Sequence, residues 1–324
     1  VSGTVQFLRA CSLQVVGDDG AGLDLSELRV RFQVTHGSVQ TPRIMQARVY
    51  NPAPATVTAI QSQFTRVILS AGYQGNVAQI FSGTIAQTRY GRENPTDTFI
   101  DIFGTTNEQS YATATTMQVL AAGWTHQDAR DQCVKDMATD QIAAGAFPEL
   151  QGSGARPKVM CGMTRDVLRT TAASAAAVWN MDDATLNFTR IADMVNAGSV
   201  AAIELDSTSG LVGIPVQVPG GVQATCLLNP ALKPGAAVTI HTGDVLASQA
   251  DLSYAAQDGG NYDETTTANG VSRRSVIGLS PSGSYLVVFV EITGDTRGDE
   301  WYSTITCQAT DVSAVTPGSF YTAN

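Results

Sequence analysis

The sequence predicts a β-rich α+β fold, in which two small antiparallel β-barrel domains flank an α/β central section. The divisions fall at residues 1–105, 106–202 and 203–324. Three observations predict this. Short runs of alternating apolar and polar residues, punctuated by Gly, Pro and Asn, crowd both ends of the chain. The two helix-period patterns lie in the middle third. At 324 residues, with 43% hydrophobic and only 15% charged side chains, the chain is long enough for two or three packed domains and too apolar to be disordered.

In the first domain Leu28, Val30, Phe32 and Val34 alternate with Arg29, Arg31, Gln33 and Thr35, the mark of a half-buried strand. Met45, Ala47 and Val49 repeat the pattern, and Asn51-Pro52 and Pro54 break it. Further strands are expected at 65–71, 77–83, 84–90 and 98–103. In the centre, 117–122 reads as a strand. Thr125 then caps a helix, with Asp128 completing a capping box. Ala129, Cys133, Val134, Met137 and Ile142 form its packed face, and Gly145 and Pro148 end it. A second helix is expected over 165–177, with Leu168, Ala172, Ala175 and Trp179 as its stripe, followed by a strand at 185–191.

Strand signals return near Ile203. A strand with Pro215 leads through Pro219-Gly220-Gly221 into the alternation Val222, Ala224, Cys226, Leu228, and 237–241 is another short strand. Residues 247–275 read as a long polar loop, a length that within a compact domain usually marks function or disorder. The last hairpin runs from Ser284 to Gln308. In its first arm Tyr285, Val287 and Phe289 face one way and Leu286, Val288, Val290 and Ile292 the other, as in a strand covered on both sides.

Charge and cysteine usage exclude several functions. With 19 basic against 29 acidic residues the net charge is −10, a poor basis for gripping nucleic acid by its phosphates. The five cysteines are scattered and include no C-x-x-C, which fits reduced thiols in a cytosol. The first sixteen residues lack a signal-peptide pattern, and no apolar run is long enough to span a membrane, so cytoplasmic synthesis without an anchor is expected.

No motif supplies catalytic chemistry. His36, His126 and His241 are isolated, without metal-ligand spacing. There is no G-x-S-x-G, P-loop or G-x-G-x-x-G. Asp97, Asp101, Asp182 and Asp183 are the carboxylates a glycosidase could draw on, and surface solvation accounts for each. Arg297-Gly298-Asp299 reads as a turn tip, and Asn187-Phe188-Thr189 as part of a strand. Neither catalytic residue, metal nor cofactor is expected. Tyr254, Tyr262, Arg273 and Arg274, in the polar loop, are interface candidates, because Tyr and Arg concentrate at protein contacts.

The closing hairpin reads as strand, Gly294-Asp295-Thr296-Arg297-Gly298, an acidic residue, Trp301-Tyr302, and a strand with Cys307. It resembles the closing hairpin of baseplate hub proteins from contractile-tailed bacteriophages. Gly83-Thr84-Ile85 after Ile80-Phe81, with 97–102, is similar to a passage of that family's first barrel. Gly213, Pro215, Gly221, Leu227, Asn229 and Pro230 match the opening of its second. The resemblance runs over nearly the whole chain; the polar insertion 247–275 and the short segment after Val315 depart from it. It implies a structural, non-enzymatic homotrimer whose six similar barrels meet a hexameric tail tube while the central subdomains grip a trimeric spike. The implied partners are the spike, the tube or a tube initiator, and other baseplate proteins. DNA is met only in transit through the channel, which the acidic balance would suit. The implied location is the virion baseplate, after assembly in the host cytoplasm, with any lytic or spike domain on another chain. A cell-wall hydrolase and a receptor- or glycan-binding β-module are the alternatives.

Overall fold

The computed structural model describes residues 8–18, 20–37, 41–137, 142–148, 152–182, 185–190, 202–218, 221–241, 262–266, 272–276 and 282–309. The first strands are β1 (Arg9–Val16), β2 (Gly22–Asp24), β3 (Val30–Gly37) and β4 (Ile44–Tyr50). In β3 the alternation is realised: Val30, Phe32 and Val34 are buried, while Arg31 and Gln33 are exposed. The prolines after β4 do more than break it. Pro54 opens helix α1 (Pro54–Ser62), at a position where its missing N–H costs no hydrogen bond, and Val57 and Ile60 are buried one turn apart. After β5 (Arg66–Tyr73), the two strands expected at 77–83 and 84–90 are one, β6 (Asn76–Arg92). Gly83 does not turn the chain. It lets β6 approach the Thr105 backbone of β7 (Thr98–Thr105) more closely than any Cβ would allow.

The central section holds α2 (Glu108–Thr113), β8 (Thr115–Leu120), α3 (His126–Asp136), β9 (Ala143–Ala144), β10 (Lys158–Met163), α4 (Thr164–Ser174), β11 (Ala177–Asp182) and β12 (Thr185–Arg190). The capping box of α3 forms as expected. The Thr125 hydroxyl accepts from the Asp128 amide at 3.2 Å, and the Asp128 carboxylate accepts from the Thr125 amide at 2.8 Å. The second helix is shorter than expected. It ends at Ser174, Ala176 adopts φ 48°, and Trp179 lies in β11 opposite Phe188. The apolar period switches there from helical to alternate, burying Ala177, Trp179 and Met181. These side chains, with Ala129, Cys133, Met137, Leu168, Leu186 and Phe188, make a core of their own.

The remaining strands are β13 (Ile203–Leu205), β14 (Leu211–Val218), β15 (Gly221–Leu227), β16 (Ala237–His241), β17 (Tyr262–Thr266), β18 (Ser272–Val276), β19 (Ser282–Asp295) and β20 (Trp301–Ala309). The expected loop over 247–275 contains the antiparallel pair β17–β18. Asn269-Gly270 between its arms is a hairpin signal that the polar composition hid. In β19 a bulge between Val287 and Phe289 changes the phase. Tyr285, Val287, Val290 and Ile292 therefore join the core, while Phe289, expected beside Val287, is exposed.

The strand-built ends are joined in one thirteen-stranded sheet. Its order is β14-β15-β20-β19-β3-β4-β7-β6-β5-β1-β2, with β16 also on β19 and β13 on β16. The joint is β19, whose fourteen residues pair β20 along one edge and β16, then β3, along the other. Leu13, Phe32, Leu69 and Ile102 accordingly share one core with Val222, Val238, Val290, Trp301 and Ile305. Among the described residues the pairing does not close into a barrel.

Candidate assembly surface

From β14 to the C-terminal half of β6, eight strands run antiparallel throughout. Because side chains alternate across a strand, one face of this sheet feeds the core and the other meets solvent. The solvent face carries cross-strand rows. One is Arg89, Asp101, Arg48, Arg31; the next is Gln87, Phe103, Gln46, Gln33, Thr293, Tyr302. Over its middle lies a groove of 590 Å³, lined by Arg31, Gln33, Gln46, Arg48, Thr293, Glu300 and Tyr302.

The charges on this face are matched within it. Asp101 is fully buried and accepts from Arg48 Nε at 2.7 Å and Nη2 at 3.0 Å, and from Arg89 Nη2 at 2.7 Å. The Arg48 guanidinium also lies 3.9 Å over the Phe99 ring and 3.6 Å from Glu93. Arg31 and Arg48 stand directly opposite, which alone would be repulsive, but Arg31 is 3.3 Å from Glu300. Gln33 donates to Glu291. Burial alone would raise the Asp295 pKa, yet bonds from Arg29 at 2.6 and 3.1 Å and from the Arg297 amide hold it below the ordinary carboxylate value.

The Arg-Gly-Asp tip is a latch. Arg9 of β1 donates to the carbonyls of Gly298 (2.6 Å) and Asp299 (3.0 Å), and Arg297 donates to the Glu27 carbonyl. Of the carboxylates weighed for hydrolysis, the described two, Asp97 and Asp101, are each engaged by other partners. Asp101 is clamped by two arginines, and Asp97 is held by Asn51 and Asn94, whose hydrogen bonds lower its pKa. The Asp182 side chain and all of Asp183 lie outside the described residues. Ser174 contacts His126 at 3.3 Å, but its hydroxyl is spent on the Thr171 carbonyl of its own helix. Burial pushes the thiols of Cys11, Cys133, Cys226 and Cys307 up to about 12, far from reactive thiolates. Among the described residues no cluster of ligands could hold a metal, and no helix is long and apolar enough to cross a membrane.

Of the interface candidates, Tyr254 lies outside the described residues. The β17–β18 register brings the other three into one small sheet, with Tyr262 opposite Val276, Arg273 opposite Thr265 and Arg274 opposite Glu264. A surface that sequence reasoning missed is the outer face of the β8–β10 ribbon. There Val119 stands opposite Val159 and Met117 opposite Cys161, and the three large apolar side chains are 58%, 71% and 79% exposed respectively. The available signal was the apolar alternation of Met117 and Val119 in β8 and of Val159, Cys161 and Met163 in β10.

No family model matches the sequence, and no curated protein matches it either. Solved structures do match. A 43 kDa tail protein of prophage MuSo2 from Shewanella oneidensis aligns over 95% of this chain and 98% of its own, with a TM-score of 0.55 at 9% identity. The chain has the fold of that tail protein. A tail protein from Neisseria meningitidis MC58 shares the fold over 93% of this chain and 96% of its own, with a TM-score of 0.56 at 10% identity. A chain of the half-lidded Francisella PdpA–VgrG complex shares it at a TM-score of 0.52 and 5% identity. The alignment covers 93% of this chain and 58% of that one.

Proposed function

We propose that the protein is a structural baseplate hub of a phage tail. It forms a homotrimeric ring that adapts the hexameric tail tube to the trimeric central spike and encloses the DNA channel. The observation that carries this reading is the eight-stranded sheet with a broad, self-neutralised solvent face, set in the fold of tail proteins. The strand-built ends, residues 1–105 and 203–324, act as paired sheet units towards the tube. The central section 106–202 faces the spike, and the segment bearing Tyr254, Tyr262, Arg273 and Arg274 contacts other baseplate proteins.

A face whose arginines are already bound to carboxylates gives DNA little to hold, because no counterions are released by pairing them with phosphates. The acidic lining suggested by the net charge is replaced in this reading by a matched one, with Arg31, Arg48 and Arg89 set against Asp101, Glu291 and Glu300. The protein then works in the virion after assembly in the bacterial cytoplasm. Native mass spectrometry at micromolar concentration, alone and with tail-tip proteins, tests the proposal. A trimer, alone or with the spike, is expected. A monomer in every mixture would sink it.

A further inference from the structure

In the central section α3, α4, β10 and the turn before α3 converge on one imidazole. His126 is the first residue of α3 and follows the Thr125 cap. Its Nε2 lies 3.3 Å from the hydroxyl of Ser174, the last residue of α4. The Ser174 hydroxyl donates its proton to the Thr171 carbonyl at 2.7 Å, so towards His126 it accepts. That places the ring proton on Nε2 and leaves Nδ1 a bare lone pair. Nδ1 is buried and has no hydrogen-bond partner. Trp124 stands edge-on to the imidazole, with ring centroids 5.5 Å apart. Over Trp124 in turn rests the Lys158 ammonium of β10, 4.4 Å from the ring centroid and 3.2 Å from the Thr171 hydroxyl.

We infer that His126 is an acid-sensitive pin of the central section: neutral, it lets α3 dock on α4, and protonated, it loosens that docking. A proton on Nδ1 would make a buried donor with no acceptor, which costs free energy. Lys158 supplies a like charge, and the N-terminus of α3 is the positive end of its helix dipole. The groups that could welcome a cation are engaged elsewhere. On α3 the Asp128 carboxylate accepts from the Thr125 amide and hydroxyl, both at 2.8 Å. At the end of α4 the Thr171, Ala172 and Ala173 carbonyls accept from Ser174 Oγ and from the Ala175 and Ala176 amides. Earlier in α4, Asp166 pairs with Arg169, and Arg165 donates to the Tyr111 carbonyl. Arg156, before β10, turns its carbonyl to the Trp124 indole at 3.0 Å.

Burial first, and Lys158 second, hold the His126 pKa below its ordinary value of 6.5. A histidine that titrates lower in the folded than in the unfolded chain stabilises the fold fully above the unfolded value, about 6.5. That contribution fades as pH falls through the folded value, because the unfolded chain binds more protons in this window. The window lies above that of the carboxylates, whose losses begin near pH 4. Loosening is local, since Ala129 and Cys133 of α3 and Leu168 and Ala172 of α4 belong to the separate core of the central section. His36 and His241 lie in β3 and β16 of the large sheet, so a histidine response within α3 and α4 belongs to His126.

The test is an NMR titration of the histidine Cε1–H signals in the full chain, with amide exchange followed in α3 and α4. His126→Gln assigns the signal by its disappearance. The expected midpoint of His126 lies below 6.5 and rises in Lys158→Gln. Amides at the facing ends of α3 and α4 should lose protection as His126 titrates, and should keep it over the same range in His126→Gln. A midpoint at or above 6.5, a midpoint unmoved by Lys158→Gln, or equal acid loosening with and without the imidazole overturns the pin. If His126→Gln fails to fold, the wild-type midpoint and its movement in Lys158→Gln still decide. None of these readouts depends on the oligomeric state, so their failure leaves the hub reading standing.

Discussion

The strands β3, β4, β6 and β7 and the strands β14, β15, β19 and β20 lie side by side in the same order, but the two four-stranded units do not share a surface. On the core side equivalent positions match: Met45, Ala47 and Val49 in β4 correspond to Val222, Ala224 and Cys226 in β15, and Ile102 in β7 to Ile305 in β20. On the solvent side they part. The row Arg48, Asp101, Arg89 of the first unit corresponds to Thr225, Thr304, Glu291 of the second. The difference teaches that the buried half of a strand's period sets the pairing, because a residue facing the core must be apolar and of fitting volume. The solvent half is free to carry an ion-paired row in one unit and a largely uncharged one in the other.

The largest expected effects test the shared half. Ile102→Ala and Ile305→Ala each remove a fully buried branched side chain and should cost about 2–5 kcal/mol apiece in urea unfolding. Costs differing more than twofold would break the equivalence of the two cores. The next effect sharpens the contrast between the surfaces. Asp101→Asn leaves Arg48 and Arg89 without their carboxylate. Discounted for the exposure of Arg89, the loss should be about 2–3 kcal/mol, whereas Thr304→Val should stay within about 1 kcal/mol. Equal losses would show that the charged row is ornamental to stability.

Acid separates the units more gently. Asp295 titrates lower in the folded protein than its unfolded value near 4. Its contribution is present above about pH 4 and is lost as pH falls through the folded value. Stability should therefore decline as pH falls below about 4, less steeply in Asp295→Asn; identical slopes would remove Asp295 from the account. Asp206, held at about 2 by hydrogen bonds from Thr208 and Ser209, adds to the decline between about pH 4 and 2.

The central section answers on a smaller scale. Thr125→Ala, which removes the α3 cap, should cost about 1 kcal/mol, and a thermal scan that shows no change would deny the cap a stabilising role. Val119→Thr with Val159→Thr on the ribbon should change stability by about 0.5 kcal/mol or less, since both side chains are already in water. In the proposed assembly the same pair should weaken retention of the spike in pull-down, and undiminished retention would move the spike contact off the ribbon.

Local pattern made much of this molecule legible. The alternation in β3 and β4, the Thr125–Asp128 cap and the extent of β16 follow from side-chain period and capping chemistry within a few residues. Features that depend on what lies across the sheet were not legible. Pro54 breaks one element and begins another, Gly83 serves a close approach and not a turn, and the β19 bulge reverses the face of Phe289. The interface candidates, read from composition, proved partly to be a hairpin, while the exposed ribbon went unnoticed because its apolar residues look like core until their neighbours are placed.

By itself, then, the sequence determined the β-rich class, the central helices, the absence of catalytic spacing and the likeness to hub proteins, all of which rest on periodicities and short motifs a few residues long. Only the tertiary structure decided that the two strand-built ends form one sheet with one core and that its two four-stranded units repeat a topology. Strand order is a property of partners hundreds of residues apart, such as β3 and β19, and no local period encodes which edge a strand will choose.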